Sequence, residues 1–234
     1  MLKITVLYEN HKNPNNKNNL LEFAHGFAAY LEFEGKKILF DAGWHGSILL
    51  NNCKLLNVSL KDLDAIVISH AHWDHIGGLT HVLEVTDNPD IYVPEEFSKV
   101  QPKEFERYLK DPYVERVENF KVLDRISQNI ASTGTHKPVG EQALLIKYGE
   151  NDETIMIVGC SHPGIAPFIK NSKNFGDIKA ILGGFHGFKD VKYLTNKTNV
   201  KDLYMGHCSQ YIEKFQNEPS LNTTSIHVGY EITL

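Results

Sequence analysis

No stretch of this 234-residue chain approaches the eighteen or so consecutive apolar residues that a membrane-spanning helix needs. The opening MLKITVLYENHKNPNNKNNL turns polar after eight positions, so the apolar centre of a secretory signal is not expected. Cysteine is scarce as well. Cys53, Cys160 and Cys208 are odd in number and far apart, which argues against a disulfide framework and for a reducing, cytoplasmic setting. Basic charge is in deficit, with 24 Lys and Arg against 29 Asp and Glu. A broad nucleic-acid surface normally needs a basic face or arm, and neither is visible. The expected partner is therefore a small-molecule substrate, not a nucleic acid or a membrane.

What is present suits a folded core: 41% of the residues are hydrophobic and only 23% charged. KITVLY (3–8), FAAYLEF (27–33) and KKILFDAG (36–43) are β-favouring runs, the last two joined by a tight turn as a hairpin. HGSILLNNCKLLNV has apolar residues at helical spacing, and AIVIS (65–69) suits a strand buried on both faces. HKNPNNKNN reads as a solvated loop. Pro89 to Val122 is charged and broken by Pro94, Pro102 and Pro112, and predicts a helical insertion over the scaffold. It serves as a solvated arm, a lid or a homodimer contact. The second half alternates strands and helices: QALLIKY beside TIMIVG, then IKAILGG and VKDLYMG, a helix in HCSQYIEKFQ, and a last strand in SIHVGYEITL. This pattern predicts one α/β domain over 1–234, built as a layered sandwich.

The chemistry is concentrated in ISHAHWDHIGGL, Ile68 to Leu79. His70 and His72 are two apart at the end of a strand and can grip one cation, and Asp74 and His75 can reach a second position beside it. Imidazole and carboxylate are zinc ligands, and a catalytic ion needs an open position, so further ligands must come from elsewhere. Candidates follow other strands: Cys160 and His162 after IMIVG, His186 after AILGGF, His207 after LYMG. Loops at the ends of neighbouring strands converge, and active sites collect there. His25, beside Gly26, could line the same mouth or lie on the loop surface, and His136 in STGTHKP is another candidate ligand.

HAHWDH matches the His-x-His-x-Asp-His signature of the metallo-β-lactamase superfamily, and most of the chain fits around it. AHGFAAYLEFEGKKILFDAG, GCSHPGI, GGFH and GHCS resemble the branch that includes dihydropterin-forming ribofuranosylaminobenzene phosphate synthases. The resemblance implies a four-layer αββα sandwich with a dinuclear metal site at one edge. It implies His70, His72 and His162 at the first metal, Asp74, His75 and His207 at the second, and Asp41 supporting the metal loop from behind. Many members carry a bridging aspartate where this chain has Cys160, which either bridges as a thiolate or faces inward as a small apolar residue. Oxygen-reducing di-iron members carry glutamate at the position of His72, so two zinc ions are implied, with iron or manganese as alternatives. The implied activity is a metal-dependent hydrolase that uses metal-activated hydroxide, with Asp74 orienting the hydroxide and His186 contacting the substrate or leaving group. The substrate would be a small polar, phosphorylated metabolite cut at a phosphoester or cyclic amidine bond. A lactonase or thioesterase, and a non-catalytic ligand-binding relic of the fold, are the competing readings.

Overall fold

The computed structural model describes residues 1–15, 20–149 and 151–234. Residues 16–19, part of the Asn-rich stretch read as a solvated loop, lie outside the described residues. The first half supplies strands β1 (Leu2–Tyr8), β2 (Ala28–Phe33), β3 (Lys36–Phe40), β4 (Ala65–Val67), β5 (Asp90–Pro94) and β6 (Val114–Val117). Helices α1 (Gly46–Leu55), α2 (Trp73–Ile76), α3 (Leu79–Val85) and α4 (Gln101–Phe105) lie between them. The second half supplies β7 (Lys121–Val122), β8 (Ile130–Ser132), β9 (Leu144–Lys147), β10 (Glu153–Val158), β11 (Asp177–Gly184), β12 (Asp202–Gly206), β13 (Asn222–Ser225) and β14 (Glu231–Thr233). Its helices are α5 (Ile165–Ser172), α6 (Val191–Lys197) and α7 (Ile212–Gln216). Among the described residues the strands form two seven-stranded sheets, ordered β14-β1-β2-β3-β4-β5-β6 and β13-β12-β11-β10-β9-β8-β7. Among the same residues no helix is long and apolar enough to cross a membrane.

The layering follows from side-chain alternation along the strands. Ile4, Val6, Leu31, Ile38, Val67, Ile157 and Leu182 fill the space between the sheets. The opposite faces carry Leu7, Leu39, Ile66 and Ile68 under α1 and α3, and Met156, Val158, Ile181 and Met205 under α5 and α7. Helix, sheet, sheet, helix is thus the four-layer αββα order. The expected hairpin is present, with Leu31 opposite Ile38, and β9 pairs antiparallel with β10.

Two expectations are corrected. The 89–122 segment is not a helical insertion: α4 is its one α-helix among the described residues, and β5, β6 and β7 extend both sheets. Ile91, Val93 and Val117 turn into the core, and the flanking charges that mask this alternation are spent at the rim, where Arg125 grips Asp90 at 2.7 and 3.0 Å. The C-terminal run is two strands, not one. It breaks at Gly229, whose φ of +75° is open to glycine, and crosses from the second sheet to the first, where Ile232 pairs with Ile4.

Strand direction fixes where chemistry can collect. β3 and β4 are parallel, and β1, antiparallel to β2, runs the same way as β3. β10, β11 and β12 are mutually parallel. The loops after β1, β3, β4, β10, β11 and β12 carry the polar residues gathered in the next section. Gly159 after β10 packs directly on Ser69 after β4: a Cβ on it would meet Ser69 Oγ at 2.3 Å.

Candidate metal centre

The strand-end loops bring two groups of ligand atoms together. His70, His72 and His162 form one, and Asp74, His75, Cys160 and His207 the other, each with its ligand atoms within 4.8 Å of one another. The groups adjoin, since the His70 and His75 rings are 4.2 Å apart. The seven ligands implied by the resemblance are therefore gathered here, Cys160 included, its Sγ 3.2 Å from His75 Nε2. His186 lies just outside the first group, its ring 5.0 Å from that of His162. His25 lies just outside the second, its Nε2 3.2 Å from Asp74 Oδ2. His136 is elsewhere: it bonds Asn171 at 3.3 Å and packs on Phe168, lining a separate cavity of about 600 Å³ with Lys170, Lys173 and Tyr193.

Hydrogen bonding around the groups decides which ring nitrogens face inward, because a ring whose Nδ1 donates to a fixed acceptor presents Nε2 to the centre. Buried Asp41 accepts from Ser69 N and Ser69 Oγ, both at 2.7 Å, and from His75 Nδ1 at 2.7 Å. Having donated its hydroxyl proton, Ser69 Oγ accepts from His70 Nδ1 at 2.9 Å. Both histidines thus turn Nε2 toward the centre. Glu141, fully buried, accepts from Cys160 N, Ser161 N and His162 N at 2.7–2.8 Å and from His162 Nδ1 at 2.9 Å. This frees His162 Nε2. Asn10 Oδ1 accepts from His207 Nδ1 at 3.1 Å and frees His207 Nε2.

With Nδ1 of each ring donating to a fixed acceptor, the Nε2 atoms converge on one another. His75 Nε2 lies 3.2 Å from His207 Nε2, and His207 Nε2 lies 3.2 Å from the Asp74 carboxylate. Three imidazoles in one group, and two imidazoles, a carboxylate and a thiol in the other, are donor sets that fit a divalent transition metal. The local titration agrees with a site built for cations. Burial pushes His75 down, but the Asp41 carboxylate outweighs it and raises it to about 10. Burial pushes Asp74 up, but hydrogen bonds from His207 and His75 win and hold it far below the carboxylate range. His70 and His207 are driven down chiefly by burial. The Cys160 thiol is raised, first by its hydrogen bond with Cys208 and then by burial.

Backbone strain marks the same loops. Asp41, Ser161, His186 and His207 have φ of +57°, +60°, +38° and +49°, a region that non-glycine residues seldom occupy, at a cost on the order of 1–3 kcal/mol each. For His207 three contacts from the end of β1 hold the conformation: Glu9 accepts from its N–H, Asn10 Nδ2 donates to its carbonyl at 3.1 Å, and Asn10 Oδ1 takes its ring proton. Glu9, Asn10, Ser69, Glu141 and Cys208 were not foreseen as site residues. GEQALL does place Glu141 just before an apolar strand, where a carboxylate is unusual, but nothing local marks its partners.

The family model described as the metallo-beta-lactamase superfamily matches residues 22–207. An uncharacterized protein of Methanocaldococcus jannaschii is 32% identical over 189 residues, 69% of this chain and 72% of that protein. The 7,8-dihydropterin-6-methyl-4-(beta-D-ribofuranosyl)-aminobenzene-5'-phosphate synthase of the same organism is 26% identical over 261 residues, 88% of each chain. Among solved structures, a metal-dependent hydrolase of the beta-lactamase superfamily shares the fold with a TM-score of 0.77 at 22% identity, over 100% of this chain and 99% of that one.

Proposed function

The chain belongs to the metallo-β-lactamase superfamily, and from that premise we propose that it is a metal-dependent hydrolase of small, phosphorylated metabolites. The observation that carries the reading is the convergence of imidazole nitrogens, one carboxylate and one thiol in two adjoining groups. His70, His72 and His162 would hold one ion, and Asp74, His75, His207 and Cys160 a second. Zinc suits the mixture of imidazole and sulfur donors. A bound ion of this kind supplies Lewis acidity and lowers the pKa of water, with zinc from 15.7 to about 7.

The chain's own residues then have separate tasks. Asp41, Glu141 and Asn10 fix the ring tautomers, so that the site is organised before a ligand arrives. Cys160 stands where an acidic bridge is common in the family, and a bound ion would hold its sulfur as the thiolate. Asp74, held ionised, has a carboxylate oxygen at the mouth to orient a nucleophilic water. His186, beside His162 and outside both groups, is placed to contact the substrate or leaving group. The phosphorylated substrate class rests on the likeness to the synthase named above, which spans 88% of both chains.

The test combines metal analysis with a panel of substrates. Protein purified after growth with zinc should carry close to two transition-metal equivalents and hydrolyse bis-p-nitrophenyl phosphate in preference to a lactone or a thioester. Less than one equivalent per chain, or a lactone or thioester turned over preferentially, would overturn the reading.

A further inference from the structure

Asn10 bonds two histidines at once, and its amide has no freedom in how it does so. The Gly26 N–H can only donate, and it points at Asn10 Oδ1 from 2.9 Å. The His207 carbonyl can only accept, and it lies 3.1 Å from Asn10 Nδ2. Two backbone groups therefore settle which end of the amide is oxygen. The remaining two contacts follow by elimination. Asn10 Oδ1 takes the proton of His207 Nδ1 at 3.1 Å, so His207 turns a bare Nε2 inward. Asn10 Nδ2 donates to His25 Nδ1 at 3.3 Å, so the His25 ring N–H sits on Nε2. One amide thus sets opposite tautomers: a ligand on one side and a donor on the other.

The His25 donor is aimed at the centre. Its Nε2 lies 3.2 Å from Asp74 Oδ2, and its ring centroid is 5.2 Å from that of His207 and 6.0 Å from that of Trp44. The side chain is 56% exposed, unlike those of His75 and His207, which are buried. It belongs to neither ligand group. The loop that carries it is pinned from both sides, by Ala24 N donating to the Glu9 carbonyl and Phe27 N to the Asp74 carbonyl, both at 3.1 Å. Gly26 is needed there because a Cβ would meet Asp74 O at 2.5 Å. An exposed imidazole held this firmly, with its N–H directed at a ligand carboxylate, is placed to meet a substrate and not merely to fill space.

We infer that His25 donates its Nε2–H to a phosphoryl oxygen of the substrate at the mouth of the second group, and that Asn10 is the residue that positions it. The inference rests on the reading of the two groups as a metal-holding site. No proton is transferred: the N–H shifts its hydrogen bond from Asp74 toward the anion.

Long-range proton–nitrogen NMR of the zinc-loaded protein should show His25 as the Nε2–H tautomer, with inorganic phosphate shifting its resonances. His25→Leu should weaken phosphate binding by about tenfold or more, the size expected for one hydrogen bond to a charged group, with unchanged zinc content. His25→Gln, which keeps an N–H near the same point, should recover much of that loss. Asn10→Asp can still accept from Gly26 and His207 but cannot donate, so it should move the His25 proton to Nδ1 and weaken phosphate as His25→Leu does. A Nδ1–H tautomer in the unaltered protein, no response of His25 to phosphate, or equal phosphate affinity in His25→Leu would each overturn the inference. If the protein binds phosphate through His25 but hydrolyses nothing in the panel, the functional reading fails and this one stands.

Discussion

Exchanging Glu141 for glutamine isolates one metal position from the other. In the structure Oε1 of Glu141 takes the N–H groups of Cys160 and Ser161, and Oε2 takes both the N–H of His162 and its ring Nδ1 proton. Glutamine has one oxygen, which keeps the first pair if it faces them. Its NH2 then faces two donors, and no rotation satisfies all four. The backbone N–H of His162 cannot change, so the ring must turn or shift its proton to Nε2, the nitrogen that would bind metal. Each lost bond to the charged carboxylate contributes about 1.5–3 kcal/mol. Groups behind a metal ligand typically set affinity by about 10–100-fold. Glu141→Gln should therefore weaken one of two zinc ions by about that factor, leaving the other, held by Asp74, His75, His207 and Cys160, nearly unaltered. Competition with a chromophoric chelator resolves two binding steps and measures both. Two unchanged steps would refute the assignment of His162 to the first ion. Equal weakening of both would refute the independence of the two groups.

Gly159→Ala should disrupt the first group without replacing a ligand. Its Cβ would fall 2.3 Å from Ser69 Oγ and 3.2 Å from His70 Nδ1, so a urea denaturation curve should show a loss of about 1–3 kcal/mol alongside reduced zinc content. Ile157→Ala removes a fully buried side chain between the sheets and should cost about 2–5 kcal/mol in the same assay, with metal content unchanged. Cys53 lies on the buried face of α1 and its thiol is pushed up to about 12 by burial, so at pH 8 it should stay unreacted with a disulfide reagent until the protein unfolds. His11 is raised by its hydrogen bond to buried Glu9, so an NMR titration should place its midpoint above 6.5. The sign follows from that direction: its contribution to stability is whole below about pH 6.5 and is lost as the pH rises through the folded midpoint.

Much of the ligand set was legible because it is local. HAHWDH puts four ligand side chains in one loop, and His162 and His207 each follow an apolar strand that ends in glycine within a few residues. Alternation along the strands marked a layered α/β domain for the same reason, whereas the four-layer order was implied by the resemblance to the superfamily. What stayed hidden acts across the fold. Glu141 meets His162 across 21 residues and Glu9 meets His207 across 198, contacts that depend on where strand ends arrive. Nothing in LYENH distinguishes a buried glutamate and a double-ended amide from a polar turn. The 89–122 segment was misread because prolines and charges dominate it locally, whereas its sheet pairing depends on neighbours supplied by β4 and β8.

The three anchors behind the ligands share one design. Asp41 follows β3, Glu9 and Asn10 follow β1, and Glu141 precedes β9, so each is carried by a strand other than the one whose loop it organises. Each accepts from backbone N–H groups as well as from an imidazole Nδ1, or is paired with a neighbour that does. Loop geometry and ring tautomer are therefore set by the same atoms. A substitution that relaxed a strained loop would also free the ring to rotate, which ties the positive φ of Ser161 and His207 to the direction of the neighbouring nitrogen. Cys160 fits this arrangement because its own position is already fixed through its N–H to Glu141. Its sulfur reaches the second group beside His75 and Cys208, so Cys160→Ser should lower second-ion affinity while leaving the loop, and the first ion, in place.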